Sequence, residues 1–245
     1  MSEVIKIIDV FFNYADKKDV LKEIVISIEG GERVGIIGPN GAGKTTLFHL
    51  LCGVVKPVSG RILLFGEERS DNKFNSDIGY VFQNPDDQLF NTTVYDDVAF
   101  GPLNLGLDIN EVKERVEYAL TVTNCIGFQN RPPHHLSGGE KRMSAIATII
   151  AMKPEIIIYD EPTSNLDIRT RRKLINFVNS TSITTIIASH DLEFILETCL
   201  RVIVLDKGIV VADGPSIEIM NDEEFMLKHG LERPHSLLHG RKHKH

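Results

Sequence analysis

The most informative stretch of this chain is Gly38-Pro39-Asn40-Gly41-Ala42-Gly43-Lys44-Thr45. It fits the pattern G-x-x-x-x-G-K-[ST] of a phosphate-binding loop, which requires a strand before it and a helix after it. The apolar run from Val34 to Ile37 predicts that buried strand, and the run from Thr46 to Leu51 predicts the helix. The stretch in this setting predicts a site for a nucleoside triphosphate.

The residue types of the loop suit phosphate binding. Glycine has no Cβ, so three glycines let successive backbone N–H groups turn toward phosphate oxygens. The helix start adds partial positive charge at the same place. Lys44 is expected to reach the β- and γ-phosphates, and the hydroxyl of Thr45 is expected to bind Mg²⁺. The predicted nucleotide-binding residues of this stretch are Gly38, Pro39, Asn40, Gly41, Ala42, Gly43, Lys44, Thr45 and Thr46.

The composition is that of an ordinary globular protein, with 42% hydrophobic and 25% charged residues in a chain of 245. A formal net charge of −7 argues against nucleic acid as the main partner. The cysteines Cys52, Cys125 and Cys199 show no C-x-x-C pairing, which favours packed side chains in a reducing compartment. No apolar run approaches the ~18 residues of a membrane span, and no signal-peptide pattern is present. We expect a cytoplasmic protein that works at a membrane only through partners.

Polar side chains follow two further predicted strands. The run from Ile156 to Tyr159 ends in Asp160-Glu161, and acids at the end of a buried strand are costly to place without a purpose. Asp160 is expected to hold Mg²⁺ directly or through water, and Glu161 to polarise an attacking water. The alternative for this pair is a solvated acidic turn. The run from Thr184 ends at His190, which is either a γ-phosphate contact or an ordinary surface or core histidine.

Between residues 84 and 151 the strand-like runs disappear. Apolar spacing predicts a helix over Ile109–Leu120, with Asp108 or Asn110 as its cap. A second helix, ending near Met152, opens at Leu136-Ser137-Gly138-Gly139-Glu140, where Ser137 and Glu140 form a capping box. A capped start that carries two glycines is also an anion site, and the two interpretations are compatible. We predict a helical insertion in an α/β core.

The sequence leaves two interpretations open for each of two features, an aromatic residue near the N-terminus and the histidines near the C-terminus. Tyr14 lies in a polar turn upstream of the phosphate loop, where it either stacks on adenine or packs onto the sheet edge. The C-terminal stretch from Glu232 carries four histidines, His235, His239, His243 and His245. Such a tail chelates transition metals in some proteins, but a solvated tail or the remnant of an expression tag is equally compatible with this spacing.

The remaining patterns complete the predicted order of elements. Val202–Leu205 and Ile209–Ala212 predict a hairpin, and Ser216–Lys228 predicts one helix that closes at Gly230. The other predicted strands and helix are Val4–Phe12, Ile24–Ile28, Arg61–Phe65, Ile78–Phe82 and the helix Arg169–Val178.

Together these stretches resemble the ABC transporter ATPase family over roughly residues 3 to 215. The phosphate loop is common to many NTPases, whereas Leu136-Ser137-Gly138-Gly139-Glu140 resembles the ABC signature, which is highly specific. Gln83 matches the Q-loop, Asp160-Glu161 the Walker B acids, and His190 the H-loop. Ser164-Asn165-Leu166-Asp167 matches the D-loop, and Tyr14 falls where the family places its adenine-stacking aromatic residue.

The resemblance narrows to the cobalt and energy-coupling-factor subfamily, which is CbiO-like. The segment 81–90, VFQNPDDQLF, and the segment 94–102, VYDDVAFGP, are similar to its characteristic sequence after the Q-loop. The chain departs from the common family pattern at Glu140, Tyr159 and Met143. Glu140 stands where Gln is frequent but preserves the capping box, so we expect no loss of activity.

The resemblance implies the ABC ATPase fold, of class α/β. Its P-loop NTPase core has a RecA-like, mostly parallel sheet with an antiparallel β subdomain, and a helical subdomain is inserted. We expect the nucleotide-binding core at residues 1–83 and 154–215 and the helical signature subdomain at 84–153. Residues 216–245 are expected to form a C-terminal helix and the His-rich tail.

The resemblance also implies a mechanism and partners. Two ATP molecules, with Mg²⁺ bound by Thr45, Gln83 and Asp160, are expected between the subunits of a head-to-tail dimer of identical or related chains. Glu161, His190 and Gln83 are the implied catalytic residues. The signature residues Ser137, Gly138, Gly139 and Glu140 are expected to face the ATP of the partner, and Asp167 is the implied D-loop residue. The implied partners are transmembrane transporter subunits at the cytoplasmic face of the membrane, and the transported substrate is cobalt, nickel or a vitamin.

Two functions of other classes are alternatives to transport. A soluble ABC ATPase acting on DNA or ribosomes usually has two cassettes, a long coiled-coil insertion or a basic surface, and this chain shows none of these. A P-loop kinase that phosphorylates a small molecule would leave the signature stretch unexplained.

Overall fold

A computed structural model of the protein describes residues 2–16, 18–69 and 75–238. By its internal packing the chain separates into two units. The first unit comprises Met1–Asn75 and Thr184–His245, and the second comprises Ser76–Ile183. The expected subdomains, a core at 1–83 and 154–215, a helical part at 84–153 and a C-terminal part at 216–245, stay a prediction.

The described strands and helices follow the chain in alternating groups. In chain order the strands are β1 (Glu3–Phe12), β2 (Leu21–Glu29), β3 (Arg33–Ile37), β4 (Ser59–Leu64), β5 (Glu67–Glu68), β6 (Ile78–Val81), β7 (Ile156–Asp160), β8 (Thr184–Ala188), β9 (Arg201–Asp206) and β10 (Ile209–Pro215). The helices are α1 (Lys44–Cys52), α2 (Val94–Asn104), α3 (Ile109–Val122), α4 (Gly138–Ile150), α5 (Ile168–Ser180), α6 (Leu192–Thr198), α7 (Ser216–Asn221), α8 (Glu223–Lys228) and α9 (His235–Leu238).

The first unit contains two sheets. In the first sheet the strand order is β2-β1-β4-β5, with antiparallel pairing throughout. In the second, β3 lies between β8 and β9 and is parallel to both, while β10 extends the edge as the antiparallel partner of β9. The all-buried burial pattern of β8 is that of a parallel strand covered on both faces. The predicted hairpin of β9 and β10 is confirmed.

The second unit combines a parallel strand pair with helices. β6 and β7 are parallel, in the register Tyr80↔Ile158 and Val81↔Tyr159. Helices α2, α3 and α4 pack on one another, and α4 also packs on β6. The prediction of a helix over Ile109–Leu120 is confirmed, and Asp108 is its N-cap because its carboxylate accepts from the backbone N–H groups of Asn110 and Glu111.

The predicted single helix from Ser216 to Lys228 is wrong in one respect. The structure has two short helices, α7 and α8, which are separated at Asp222. The Asp222 carboxylate accepts from the Phe225 N–H, so this residue caps a new helix instead of continuing the old one. The predicted stop is confirmed, since Gly230 adopts a left-handed backbone with φ of 68°.

Two expectations about composition can be compared with the described residues. Cys125 and Cys199 are buried and Cys52 is partly buried, and all three are free thiols, as expected for packed side chains. None of the described helices is long and apolar enough to cross a membrane.

Candidate functional site

The phosphate loop connects β3 to α1, as the sequence predicts, and its glycines are needed for close approach. Gly38 has φ of 152°, and a Cβ there would lie 2.0 Å from the Leu205 carbonyl oxygen. Gly43 has φ of 111°, and its Cβ would lie 2.7 Å from a methyl group of Leu21. Any larger residue at these two positions would displace the loop from the sheet.

Helix α1 begins without a side-chain cap, at Gly43. The first N–H groups of a helix need partners, and an oxyanion is a suitable one because of the helix dipole. The buried Lys44 ammonium donates to the carbonyl oxygens of Gly38 and Pro39, at 2.7 and 3.1 Å. The cation is therefore held within the loop that precedes it. This arrangement suits a triphosphate.

Tyr14 lies beside the phosphate loop in the first unit. Its hydroxyl is 3.3 Å from Oγ1 of Thr46, and its ring packs edge-to-face on Phe12 with 4.8 Å between ring centroids. The packing on Phe12, a strand residue, matches the interpretation that Tyr14 packs onto the sheet edge. Its place next to the phosphate loop suits the interpretation that it stacks on adenine. The same ring can pack on Phe12 and present its exposed part to a base.

His190 lies at the same sheet edge as the phosphate loop. β3 and β8 run parallel in the register Ile36↔Ala188, so the loop that begins at Gly38 and the His190 that follows β8 leave the sheet at the same end. The carboxyl ends of parallel strands are where ligands bind in such sheets. The histidine is exposed rather than part of the core.

The two acids Asp160 and Glu161 lie at the end of β7 in the second unit and are only 4% and 8% exposed. Glu161 adopts a left-handed backbone with φ of 48°, which is uncommon for a residue other than glycine. Such backbone strain concentrates at functional sites. Because β6 is parallel to β7, Gln83 follows its strand at the same edge as these acids.

Tyr80 forms a contact with Asp160 that the sequence pattern does not reveal. The Tyr80 hydroxyl donates to Oδ2 of Asp160 at 2.8 Å. The Tyr80 ring also packs edge-to-face on Phe82, with 5.0 Å between ring centroids. The end of β6, just before Gln83, is thereby joined to the acid of β7.

The signature stretch begins helix α4 and forms the predicted capping box, which is confirmed. The Ser137 hydroxyl accepts from the Glu140 N–H at 3.3 Å, while Oε2 of Glu140 accepts from the Ser137 N–H at 2.8 Å. The hydrogen bond from the Ser137 N–H lowers the pKa of Glu140. At Gly139 a Cβ would lie 2.5 Å from the Thr170 hydroxyl oxygen, so glycine is required there for packing on α5. Ser137 and Gly138 are exposed, which leaves the helix start accessible.

Asp167 is the N-cap of α5. Its carboxylate accepts from the Thr170 N–H at 2.7 Å, and this hydrogen bond lowers the pKa of the carboxyl. The residue is exposed, so capping does not bury it. Asn165, two residues earlier, has φ of 62°, which gives the loop a sharp turn before the helix.

Two buried polar residues tie the Q-loop to α4, and the sequence reading missed both. The Arg142 guanidinium is 1% exposed and donates to the carbonyl oxygens of Phe82 and Gln83, both at 2.6 Å. The Gln88 amide accepts from the Phe82 N–H and donates to the Ala145 carbonyl oxygen at 2.7 Å. One signal was available: Arg142 occupies the apolar face of α4, one helical turn before Ile146.

An aromatic pair is exposed in the same unit. Phe90 and Phe100 are 64% and 47% exposed, and their rings meet edge-to-face with 5.0 Å between centroids. The buried carboxylate of Asp97 holds the chain before α2, because its Oδ1 accepts from the N–H groups of Phe90 and Asn91 at 3.0 and 2.9 Å. Exposed aromatic residues on a fixed backbone are typical of a contact surface.

The residues predicted to hold Mg²⁺ offer the right donors. Thr45, Gln83 and Asp160 supply hydroxyl, amide and carboxylate oxygens, and Mg²⁺ prefers oxygen ligands, with one or two carboxylates beside the phosphates of a substrate. Over the described ranges there is no group of three or more His, Cys, Asp or Glu residues that could hold a metal. Of the tail histidines, His235 begins α9, and His239, His243 and His245 lie outside the described residues.

Comparison with known proteins gives consistent matches. A sequence model of the family described as ABC transporter matches residues 21–164. A putative ABC transporter ATP-binding protein of Synechocystis sp. is 52% identical, over 95% of this chain and 82% of its own length. The energy-coupling factor transporter ATP-binding protein EcfA of Methanothermobacter thermautotrophicus is 46% identical, over 94% of this chain and 77% of its own length. The structure of cbiO1 from Clostridium perfringens, described as part of the ABC transporter complex cbiONQ, has a TM-score of 0.84 and 36% identity, and covers 93% of this chain and 94% of its own.

The region matched by the family model includes the phosphate loop, Gln83, the signature residues and the two acids at the end of β7. The fold is that of the ABC ATPases, as the sequence resemblance implied, and the chain hydrolyses ATP. The chain belongs to the ABC transporter family of ATP-binding proteins, and within it to the CbiO-like ATPases of the energy-coupling-factor type.

Proposed function

We propose that this chain is the ATP-hydrolysing subunit of an energy-coupling-factor importer that powers uptake of cobalt or nickel through membrane partner subunits. The observation that carries this proposal is the extended similarity to proteins named for energy-coupling-factor transport and for the cbiONQ complex. The same ATPase role in a vitamin transporter is the alternative. Membrane subunits choose the transported substrate, so the uptake experiment below decides between the two.

The proposed nucleotide contacts start from the phosphate loop. The loop from Gly38 to Thr46 binds the phosphates through its backbone N–H groups, which every residue except Pro39 carries, and through the Lys44 ammonium. Tyr14 stacks on the adenine. Helix α1 starts at a glycine that supplies no side-chain cap, and a side chain at Gly38 or Gly43 would block the loop conformation. Both features support this role.

The proposed hydrolytic residues are Glu161, His190 and Gln83. Glu161 accepts a proton from the attacking water, and His190 binds the γ-phosphate. Gln83 orients the water, and its amide oxygen joins Asp160 and Thr45 as a metal ligand. When bound, Mg²⁺ neutralises charge that develops on the β- and γ-phosphate oxygens.

The proposed active assembly is a dimer of this chain with itself or with a related ATPase subunit. Ser137, Gly138, Gly139 and Glu140 begin an accessible, capped helix, which suits a phosphate supplied by the partner's nucleotide. Asp167 is proposed to contribute to the same interface. Because each subunit would complete the other's site, the subunits would close on ATP and reopen after hydrolysis.

The proposed contact with the membrane subunit is the surface of Phe90 and Phe100. The Q-loop backbone is tied to α4 by Arg142 and Gln88, so a movement of Gln83 would be carried into the helical part that bears the aromatic pair. The chain is then peripheral, at the cytoplasmic face, and needs no membrane span of its own.

The catalytic role is tested by Glu161→Gln in the full chain. We expect ATP binding to be unchanged and hydrolysis to fall by about 10²–10⁴-fold, because a positioned base contributes on that order. The matched control is Glu155→Gln, which removes the same charge at an exposed position directly before the same strand and should leave the rate unchanged. Full hydrolysis by Glu161→Gln would remove Glu161 from its proposed role.

The transport role is tested by isolating the chain with its native membrane partners in vesicles. ATP-driven uptake of cobalt or nickel that stops with Glu161→Gln would support both class and substrate. ATPase activity in an intact complex without metal uptake would point to vitamins. Absence of any membrane partner would refute the transporter proposal.

A further inference from the structure

A side chain outside the family's named motifs contacts the carboxylate that is proposed to hold the metal. The Tyr80 hydroxyl donates to Oδ2 of Asp160 at 2.8 Å. The strand register explains why these residues meet. Tyr80 pairs with Ile158, and Asp160 lies two residues further along β7, so its side chain projects from the same face of the sheet.

A ring contact holds Tyr80 in place independently of the hydrogen bond that its hydroxyl makes. The ring packs edge-to-face on Phe82, which lies on the same face two residues further on, with 5.0 Å between the ring centroids. An aromatic side chain has only two rotatable bonds, and this contact limits the directions that the ring can take. The hydroxyl is therefore presented to Asp160 at little further entropic cost.

We propose that Tyr80 is a positioning residue that fixes the Asp160 carboxylate for the divalent metal that accompanies ATP. The inference rests on the proposed metal role of Asp160 and extends it. A hydrogen bond to one carboxylate oxygen fixes the rotation of the group, so the other oxygen keeps a defined direction. Outer-shell partners of this kind typically contribute 10–100-fold in metal affinity. Tyr80 also lies three residues before Gln83, so the two proposed metal-binding side chains of this unit are linked through one short segment.

The chain supplies a matched control in Tyr159, the residue directly before Asp160. Its side chain is fully buried, and its hydroxyl makes no hydrogen bond within the described residues. It pairs with Val81 and projects from the opposite face of the strand. Tyr159→Phe therefore removes the same atom as Tyr80→Phe, next to the same carboxylate, without touching the proposed contact.

The test is the affinity of the full chain for Mn²⁺ in the presence of a non-hydrolysable ATP analogue. Free Mn²⁺ is measured from its electron paramagnetic resonance signal. We expect Tyr80→Phe to weaken Mn²⁺ binding about 10-fold, at the lower end of the range for outer-shell partners. Tyr159→Phe should match the wild type, and Asp160→Asn should weaken binding more than Tyr80→Phe. A second readout is binding of the analogue in EDTA, which Tyr80→Phe should leave unchanged. Raising Mg²⁺ should restore the ATPase rate of this variant.

Three outcomes would contradict the inference, and they are distinguishable. Equal Mn²⁺ affinity for Tyr80→Phe and wild type, with a loss for Asp160→Asn, would overturn the role of Tyr80 alone. Equal weakening of analogue binding with and without metal would show a general structural effect and would also overturn it. No loss for Asp160→Asn would instead refute the proposed metal role of Asp160, and the role of Tyr80 with it.

Discussion

Replacement of Arg142 by methionine should destabilise the helical part of the protein, and the structure indicates by how much. The guanidinium donates to two carbonyl oxygens at 2.6 Å, and hydrogen bonds from charged groups contribute about 1.5–3 kcal/mol each. Burial lowers the pKa of Arg142 to about 10, so part of this gain offsets the cost of desolvating the charge. Phe82 and Gln83 are exposed, so water can reach their carbonyl groups in the variant.

Two short hydrogen bonds of this kind contribute about 5–6 kcal/mol, at the upper end of that range, and the lowered pKa corresponds to a desolvation cost of about 3 kcal/mol. The difference is a net loss of about 2–3 kcal/mol for Arg142→Met. For a chain of this size, 1 kcal/mol shifts the unfolding midpoint by about 2–4 °C, so we expect a fall of about 4–12 °C. Arg142→Lys should lose about half as much, because one ammonium group cannot reproduce the fork of the guanidinium. The adjacent Lys141→Met is the control. Its ion pair with Asp86 is at the surface, where such pairs contribute about 0–1 kcal/mol.

Thermal unfolding by circular dichroism measures the midpoint, and hydrogen exchange of the amides from 82 to 88 measures whether the Q-loop backbone loosens. A variant Arg142→Met as stable as the wild type would refute the reasoning. It would mean that desolvation of the charge cancels both hydrogen bonds, as happens for some buried ion pairs. Unchanged exchange in a destabilised variant would show that Arg142 supports α4 without holding the Q-loop.

Two further predictions concern a buried hydroxyl and an exposed surface. Tyr159→Phe should raise the free energy of unfolding by about 1 kcal/mol at pH 8, since it removes a buried hydroxyl without a hydrogen-bond partner in the described chain. Burial raises the pKa of Tyr159, so above its ordinary value of about 10 only the unfolded state ionises, and stability falls as the pH rises. Urea unfolding at pH 8 and pH 11 should show a smaller alkaline loss in the variant, and an equal loss would contradict this. The double variant Phe90→Ser and Phe100→Ser should keep the ATPase rate of the isolated chain within about twofold but should not co-purify with the membrane subunits. Normal assembly and uptake would exclude this surface as the contact.

The local features of this chain could be predicted because they depend on residues close in sequence. A glycine-rich loop between an apolar strand and a helix, or a Ser137–Glu140 capping box, requires only a few consecutive residues to take their preferred conformations. The order of strands along the chain follows from apolar runs in the same way. The prediction of a single helix from Ser216 to Lys228 was wrong because two local preferences compete at Asp222. The residue can continue the first helix or cap a new one.

The fold class, the phosphate loop and the capped signature helix could be inferred from the sequence alone, since each is encoded within a short segment. The contact of the Tyr80 hydroxyl with Asp160 and the contacts of Arg142 with the Q-loop are seen only in the folded chain. They join residues that are 80 and about 60 positions apart. Such contacts depend on the register of β6 against β7 and on the packing of α4 on β6. The spacing of residues along the chain predicts neither the strand register nor this helix packing, because side chains far apart in sequence meet only after the strands and helices have packed.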